Sequence, residues 1–312
     1  MNKDPVELFR SAMASAGLVP PEDIHGDGKL HRFSPTGKRK DDAAWYVLHL
    51  DNLPAGSFGN WRDGFSQNWC AKADNEMTDA ERIAMRNRIK ALQKQREAED
   101  ERRRIVAAAK ASDIWASAIP AISHPYLRSK RVKAHGLRVG KWPKWDEEAG
   151  CMRLIPDVLL VPMRDVHGKL WSLQGIDADG QKLFLPGGRV KGCYHAIGRP
   201  SARLVLGEGY ATGATVHENT GDAFAVCFSS GNLEPVARAL KIKYPCLTFV
   251  IAADDDWQTE GNPGMTAAKK VAAAVGALLA VPNFAGLPRG PKDTDFQDLA
   301  RLAGSMRLEV QA

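Results

Sequence analysis

Between residues 203 and 284 short apolar runs alternate with stretches that read as helices, and this alternation limits the possible fold more than any other feature. "RLVLGEG" reads as a strand, "ATGATVHENTG" as a helix, "AFAVCFSSG" as a strand and "LEPVARALKIKY" as a helix. "LTFVIAADDD" is a further strand, "GMTAAKKVAAAVGA" a helix and "LLAVPNF" a last strand. Short apolar strands, each returned by a helix, imply a parallel sheet covered on both faces. In such sheets sites form outside the carboxyl ends of the strands. Two of these strands end in acid: the first delivers Glu208 into a glycine-flanked turn, and the third delivers Asp254, Asp255 and Asp256 in succession. Alternate residues of a strand share a face, so Asp254 and Asp256 are expected to point together and Asp255 away. Like charges gathered at one point repel, and a divalent metal is the natural counter-charge. An all-oxygen set of Glu208, Asp254 and Asp256, without His or Cys, suits Mg2+ or Mn2+ rather than zinc. For Asp255 alone, helix capping or plain exposure is the simpler reading.

The rest of the chain divides by texture. Residues 1–76 open with a short amphipathic helix begun by Pro5 and continue with aromatic and polar alternation through "HRFSPTGKRKDDAAWYVLHL" to "WRDGF". This reads as a small β-rich module of short strands and turns. Residues 77–119 read as a long helix, opened by the capping box Thr78-Asp79-Ala80-Glu81 and ended by Pro120. Dense in Arg, Lys, Glu and Gln, it reads as a solvated connector laced by i,i+4 ion pairs. A sharper alternative has "RNRIKALQKQR" and "ERRR" tracking a phosphate backbone. Residues 120–200 are a mixed, strand-rich region. Its three apolar runs, separated by His167-Gly168 and Asp179-Gly180, indicate an antiparallel meander. Residues 201–312 hold the parallel core.

With 312 residues and 44% hydrophobic content, the chain can support more than one core. Its net charge of +6 favours a polyanionic partner. The five cysteines stand singly with no CxxC pair, so neither a zinc knuckle nor a disulfide framework is indicated. The N-terminus lacks the order of a signal peptide, and no apolar run is long enough to span a bilayer, so no membrane partner is expected. The chain reads as soluble and cytoplasmic. "GEGYATG" nearly matches a dinucleotide fingerprint, but Gly213 comes one place late and the next strand ends "CFSSGNL" without the acid that would hold a ribose. The glycines are better read as allowing the tight turn that exposes Glu208, with Gly209 and Gly231 as turn residues.

These residues resemble the Toprim domain, shared by bacterial DnaG-type primases, topoisomerases and some nucleases. Its marks are a Glu in an "EG" turn after the first strand and an Asp-x-Asp after the third, met here by "LVLGEGYAT" and "VIAADDD". The turn Ser229–Leu233 and "PKDTDFQDL" (Lys292, Asp293, Asp295, Asp298, Leu299) are similar to elements of plasmid- and phage-carried Toprim primases. So are "HPYLRSKRV" upstream and "DADGQKLFLPGG" followed by "GCYHAIG". The resemblance covers roughly residues 120–300. The expected fold is an α/β Toprim-like parallel sheet core with an adjoining mixed β-rich subdomain, a long charged helix and a small N-terminal β-rich module. The chain departs from DnaG-type primases in lacking the cysteines of a zinc module, and it has no P-loop that would mark a fused helicase. For a topoisomerase it is too short to form a DNA gate.

The resemblance implies a DNA primase that joins ribonucleoside triphosphates on a single-stranded DNA template, with a replicative helicase as candidate partner, serving a plasmid, phage or other mobile element. Glu208, Asp254 and Asp256 are the expected catalytic and metal residues; Asp293 and Asp298 would complete a second metal site or merely cap the following helix. Lys182, Arg189 and Lys191 would neutralise triphosphate or template, with Arg128 and Lys130 as further candidates for nucleic-acid contact. In the N-terminal module Trp45, Tyr46, Phe58 and Trp61 lie among Lys38, Arg39, Lys40 and Arg62. Aromatics interleaved with bases suit stacking on single-stranded bases, although rings in so small a module also serve as its core. His31 and His49 read as structural. Two rival readings use the same acids differently: a Toprim metal-dependent nuclease, and a non-catalytic single-stranded-DNA-binding or replication-loading protein.

Overall fold

A computed structural model describes residues 4–37, 41–51, 53–61, 64–72, 78–147 and 149–311. The chain forms two compact units, Met1–Glu97 and Ala98–Ala312.

In the first unit helix α1 (Pro5–Ser15) starts at Asp4, whose side chain accepts the Val6 N–H. Strands β1 (His31–Phe33), β2 (Ala44–His49), β3 (Ala55–Asn60) and β4 (Phe65–Cys70) follow as an antiparallel meander in chain order. Strand alternation turns Phe33, Ala44, Tyr46, Leu48 and Phe58 to one face, and Phe9 and Met13 of α1 close over them. Phe9 meets Tyr46, Phe58 and Trp69 edge-on at centroid distances of 6.0, 5.6 and 5.1 Å. Tyr46 and Phe58, candidates for base stacking, are therefore core residues, while Trp45 is half-buried and Trp61 exposed. His31 is structural: it stacks on Tyr46 and bonds Asp27 at 2.8 Å. Lys38, Arg39, Lys40 and Arg62 lie outside the described residues.

Helix α2 (Asp79–Ser117) begins in the first unit and ends in the second. Its N-terminal turn closes through Arg82 N–H to the Thr78 carbonyl, while the side chain of Glu81 lies outside the described residues.

The second unit contains two sheets. Strands β5 (Ile119–Pro120), β6 (Arg138–Asp146), β7 (Cys151–Arg164), β8 (Leu170–Ile176) and β9 (Lys182–Phe184) pair antiparallel in chain order, with α3 (Pro125–Lys130) between β5 and β6. Strands β10 (His195–Ile197), β11 (Arg203–Gly207), β12 (Ala223–Val226), β13 (Thr248–Ala252), β14 (Leu278–Ala280) and β15 (Val310–Gln311) form the other sheet. Its order is β10-β12-β11-β13-β14-β15, and helices α4 (Tyr210–Thr220), α5 (Ser230–Lys243), α6 (Pro263–Val275) and α7 (Phe296–Ala303) connect its strands. The four central strands are parallel, as the strand–helix alternation requires, but both edges are antiparallel. One of those edges, β10, comes from residues that the sequence assigns to the preceding region. A three-residue strand is too short to carry a readable period.

Helices cover both faces of this sheet. Residues of α5 and α6, including Leu233, Val236, Leu240, Ala268 and Val271, bury one face. On the other face Tyr210, Ala214, Phe296 and Leu299 of α4 and α7 share a core with Leu159, Val161 and Ile176 of the five-stranded sheet. The two sheets thus grip one hydrophobic layer, and the carboxyl ends of β11 and β13 open toward α3 and β9. Among the described residues no helix is long and apolar enough to cross a membrane.

Candidate active site

Glu208 follows β11 directly. Burial and the neighbouring Asp256 raise its pKa above the usual carboxylate range, against the backbone N–H of Ser230 at the start of α5 and the charge of Lys182. The surrounding glycines divide between the link from β11 to α4, the start of α5 and close packing. Gly209 has φ −97° and caps α4, and Gly231 lies inside the first turn of α5 with open space where a Cβ would sit. Gly207 and Gly213 are instead packing glycines: a Cβ on either would come within 2.6 or 2.5 Å of the Phe224 ring. The left-handed conformation in this region falls on Phe228, at φ 70°. Its N–H bonds the Glu208 carbonyl at 2.9 Å, so backbone strain and the placement of Glu208 are joined.

The three aspartates after β13 separate into three roles. Asp254 is turned into the cleft, where burial first, and then Asp295, Glu208 and Asp256, push its pKa up to about 8. Asp256 accepts the Gly264 N–H at 2.9 Å at the start of α6. Asp255 points away from both, but it is neither a helix cap nor solvent-exposed. Its carboxylate accepts from Arg289 Nη1 at 2.9 Å and Asn262 Nδ2 at 2.6 Å, while Arg289 also bonds the carbonyls of Asp255 and Asp293. The Arg289 guanidinium sits against Phe284 and Trp257, so this clamp ties the acidic loop to the segment leading into α7.

Gly264 packs directly against two of these aspartates. A Cβ there would lie 2.6 Å from the Asp254 carbonyl oxygen and 2.8 Å from Asp256 Oδ2. Gly264→Ala is expected to displace both acids and to destabilise the second unit by roughly 1–3 kcal/mol. Thermal melting together with a divalent-cation titration checks this, and an unchanged cation response would contradict it.

The segment before α7 corrects the sequence assignment of a second acid pair. Asp293 turns to the Gly290 N–H and to Arg301, which hold its carboxyl below the usual range, and it does not line the cleft. Asp298 accepts the Thr294 N–H at 3.1 Å and is likewise absent from the lining, its pKa raised by burial and then by Asp295. Asp295 faces the cleft instead. Its Oδ1 caps α7 through the N–H groups of Gln297 and Asp298, and its Oδ2 accepts the Thr212 hydroxyl at 2.7 Å. The signal was legible: in "DFQD" Asp295 stands at the N-cap with an acid three residues later. An N-cap residue lies at the end of the helix, where α7 meets the site.

These groups border a cavity of about 440 Å³ between the two sheets of the second unit. Glu208, Asp254, Asp295 and Thr212 line it together with Tyr126, Lys130, Gln174 and Lys182. Asp256 stands behind this lining, its charge felt by both Glu208 and Asp254. Lys130 reaches Gln297 Oε1 at 3.0 Å. The other basic candidates are elsewhere. Arg128 bonds Ser123, Arg189 lies over the Trp171 ring at 4.8 Å, and Lys191 is exposed with its carbonyl bonded by Arg189. Trp61 belongs to the first unit. Tyr126, Gln174, Thr212 and Phe228 were not legible as site residues, because nothing local in the sequence marks a neutral side chain as facing a cleft.

Among the described residues no three His, Cys, Asp or Glu side chains are disposed to hold a metal ion as they stand. The donor set nevertheless fits a hard divalent cation in charge and chemistry. Burial and neighbouring carboxylates raise the pKa of Asp254 and of Glu208, the donors are all oxygen, and the charge of Lys182 offsets theirs only in part. Glu208, Asp254 and Asp256, with Asp295, are the residues that would hold it.

Residues 203–306 match the family model of the Toprim domain, and they carry its α/β fold. Two curated relatives, each described as DNA primase TraC from Escherichia coli, are similar over most of this chain. One is 38% identical over 295 residues, covering 90% of this chain and 27% of the relative. The other is 35% identical over 298 residues, covering 90% and 20%. The chain thus spans about a quarter or less of the length of the relatives it matches. A solved DnaG primase catalytic domain bound to ssDNA is 12% identical, covers 65% of this chain and 76% of that one, and superposes with a TM-score of 0.42. A DNA primase domain from Pseudomonas aeruginosa is 15% identical, covers 65% and 75%, and gives a TM-score of 0.41.

Proposed function

We propose that this chain, which carries a Toprim domain over residues 203–306, is the catalytic part of a DNA primase that joins ribonucleotides into short primers on single-stranded DNA. The replicon served would be a plasmid, phage or other mobile element. The observation that carries this reading is one cavity lined by the carboxylates Glu208, Asp254 and Asp295 and by the cations Lys130 and Lys182. Acids that can hold a cation, with lysines in the same lining, suit a triphosphate. The similarity to proteins described as DNA primase supports the same reaction class.

In the reaction a 3′-hydroxyl attacks the α-phosphate of the incoming nucleotide, a new ester bond forms and pyrophosphate leaves. Glu208, Asp254, Asp256 and Asp295 would hold a Mg2+ or Mn2+ ion, whose contribution when bound would be to neutralise phosphate charge. The chain's own residues supply position and charge. Lys182 and Lys130 face the space the triphosphate would fill and offset its negative charge. Arg289, through Asp255, fixes the loop that presents Asp254, and Thr212 fixes Asp295. Glu208 either shares the cation or takes the proton of the 3′-hydroxyl.

The test is primer synthesis on single-stranded DNA with labelled ribonucleotides and Mg2+ or Mn2+. Short labelled oligoribonucleotides that require template, ribonucleotides and cation are expected. Cation-dependent cuts in the DNA without any nucleotide requirement would replace this reading with a Toprim nuclease. DNA binding with neither product would leave a loading or single-strand-binding protein. Association with a replicative helicase belongs to the same proposal.

A further inference from the structure

The sheet of the first unit has a second face, and its chemistry differs from that of the core side. Strand register places Arg32 opposite Trp45, Trp45 opposite Gly59 and Gly59 opposite Ser66, so one row of this face reads Arg, Trp, Gly, Ser across the four strands. The row beside it runs Val47, Ser57, Asn68. Gly59 gives the Trp45 indole room to lie against the sheet, since a Cβ there would come 3.0 Å from Trp45 Nε1 and 2.3 Å from the Phe65 carbonyl oxygen. Trp61, one residue past β3, stacks on Trp45 with centroids 6.0 Å apart and planes inclined by 28°. The Arg32 guanidinium lies 4.8 Å from the centroid of the Trp61 ring.

Neither tryptophan belongs to the buried cluster under α1, and Trp61 remains 51% exposed. Two indoles and a guanidinium therefore stand on this face beside Ser57, Ser66 and Asn68, with Val47 the one buried apolar side chain among them. A surface residue placed only for stability does not call for this arrangement. Every nucleobase has a π-face that stacks on such rings, and an arginine beside them adds cation–π attraction and a phosphate partner. The charge also fits a polyanion. The sequence joining β1 to β2 carries Lys38, Arg39 and Lys40 against Asp41 and Asp42. The carboxylate of Asp42 pairs with Arg32 at 3.4 Å with both side chains more than half exposed, a pair that a phosphate can replace. An apolar protein partner would find little to bury among Ser57, Ser66 and Asn68.

We infer that this face is a binding surface for single-stranded nucleic acid, with unpaired bases stacking on Trp61 and Trp45 and Arg32 meeting the backbone phosphate. The two indoles already touch each other, so a base adds to their outer surface rather than entering between them. The surface takes from the proposed function only the ligand class, single-stranded DNA, and does not need the Toprim cavity to be active.

Anisotropy of a labelled oligothymidylate, titrated with the full chain in EDTA, tests it without any chemistry. The Trp45→Ala/Trp61→Ala double variant is expected to bind about tenfold or more weakly. Trp61→Phe keeps most of the affinity, because a ring of any kind preserves the stack. Arg32→Ala flattens the salt dependence by about 0.7 in the log–log slope. Photocrosslinking with 5-iododeoxyuridine in the oligonucleotide should label peptides containing Trp45 or Trp61. Unchanged affinity in a double variant that melts like the wild type, or crosslinks confined to residues 98–312, overturns the inference. A chain that makes no primers yet loses binding in the double variant removes the proposed function and leaves this surface standing. Primer synthesis with unaltered binding removes the surface alone.

Discussion

Asp254→Ala is expected to reduce primer synthesis by at least about 100-fold, the scale on which a single electrostatic contact to a transition state acts. Affinity for single-stranded DNA should stay within about threefold. Glu208→Gln should fall as far, and the two variants share a cause, since each removes a carboxylate from the lining of the cavity. The informative contrast lies in the next segment. Asp295 lines the cavity, whereas Asp293 is spent on the Gly290 N–H and on Arg301. Asp295→Asn keeps an oxygen for the α7 cap and removes only the charge, so its loss should approach that of Asp254→Ala. Asp293→Ala loosens the turn and should cost less than about tenfold, an effect expected from positioning alone. Steady-state rates of labelled primer formation across the four variants, with melting curves to establish folding, decide between the two acids. If Asp293→Ala were as damaging as Asp254→Ala while Asp295→Asn was mild, then Asp293 rather than Asp295 would be the acid that serves the cavity.

That contrast also shows where sequence reasoning reached and where it stopped. The parallel core was legible because four apolar runs separated by helices leave few other ways to bury both faces of a sheet. Glu208 and Asp254 were legible because strand ends are where such sheets present chemistry. Asp295 was missed in favour of its neighbours, since three acids within six residues look alike until a helix cap decides which one turns inward. The close approaches of Gly207 and Gly213 to Phe224 were not legible, because a long-range contact has no local signature. Asp255 looked dispensable until Arg289, 34 residues further on, supplied its partner. In the first unit, period-two alternation marked strands but could not say which face α1 would cover. Tyr46 and Phe58 therefore could not be separated from Trp45 by sequence.

Asp254→Asn is expected to stabilise the cation-free protein, and the gain should depend on pH in a defined way. In the folded chain Asp254 titrates near 8, whereas an unfolded aspartate titrates near its ordinary value of 3.8. The folded state therefore holds a proton that the unfolded state has released everywhere between those two values. Stability falls as pH rises through that window and is level above and below it. Asparagine carries no such proton, so the advantage of Asp254→Asn should be absent near pH 4, grow through neutrality and level off above pH 8. A shift of this size corresponds to about 6 kcal/mol at one isolated site; solvent at the open cavity should reduce the gain to roughly 2–3 kcal/mol, because exposed charges are screened. A cation acts on the same balance from the other side. It binds the ionised acids and displaces the proton, so added Mg2+ or Mn2+ should raise the wild-type melting temperature more at pH 8 than at pH 6 and do little for Asp254→Asn. Melting curves at several pH values, with EDTA or with the cation, read both effects. If Asp254→Asn were less stable than the wild type at pH 8 in EDTA, the acids would be held by some counter-charge within the protein, and the reason for placing a cation among them would be lost.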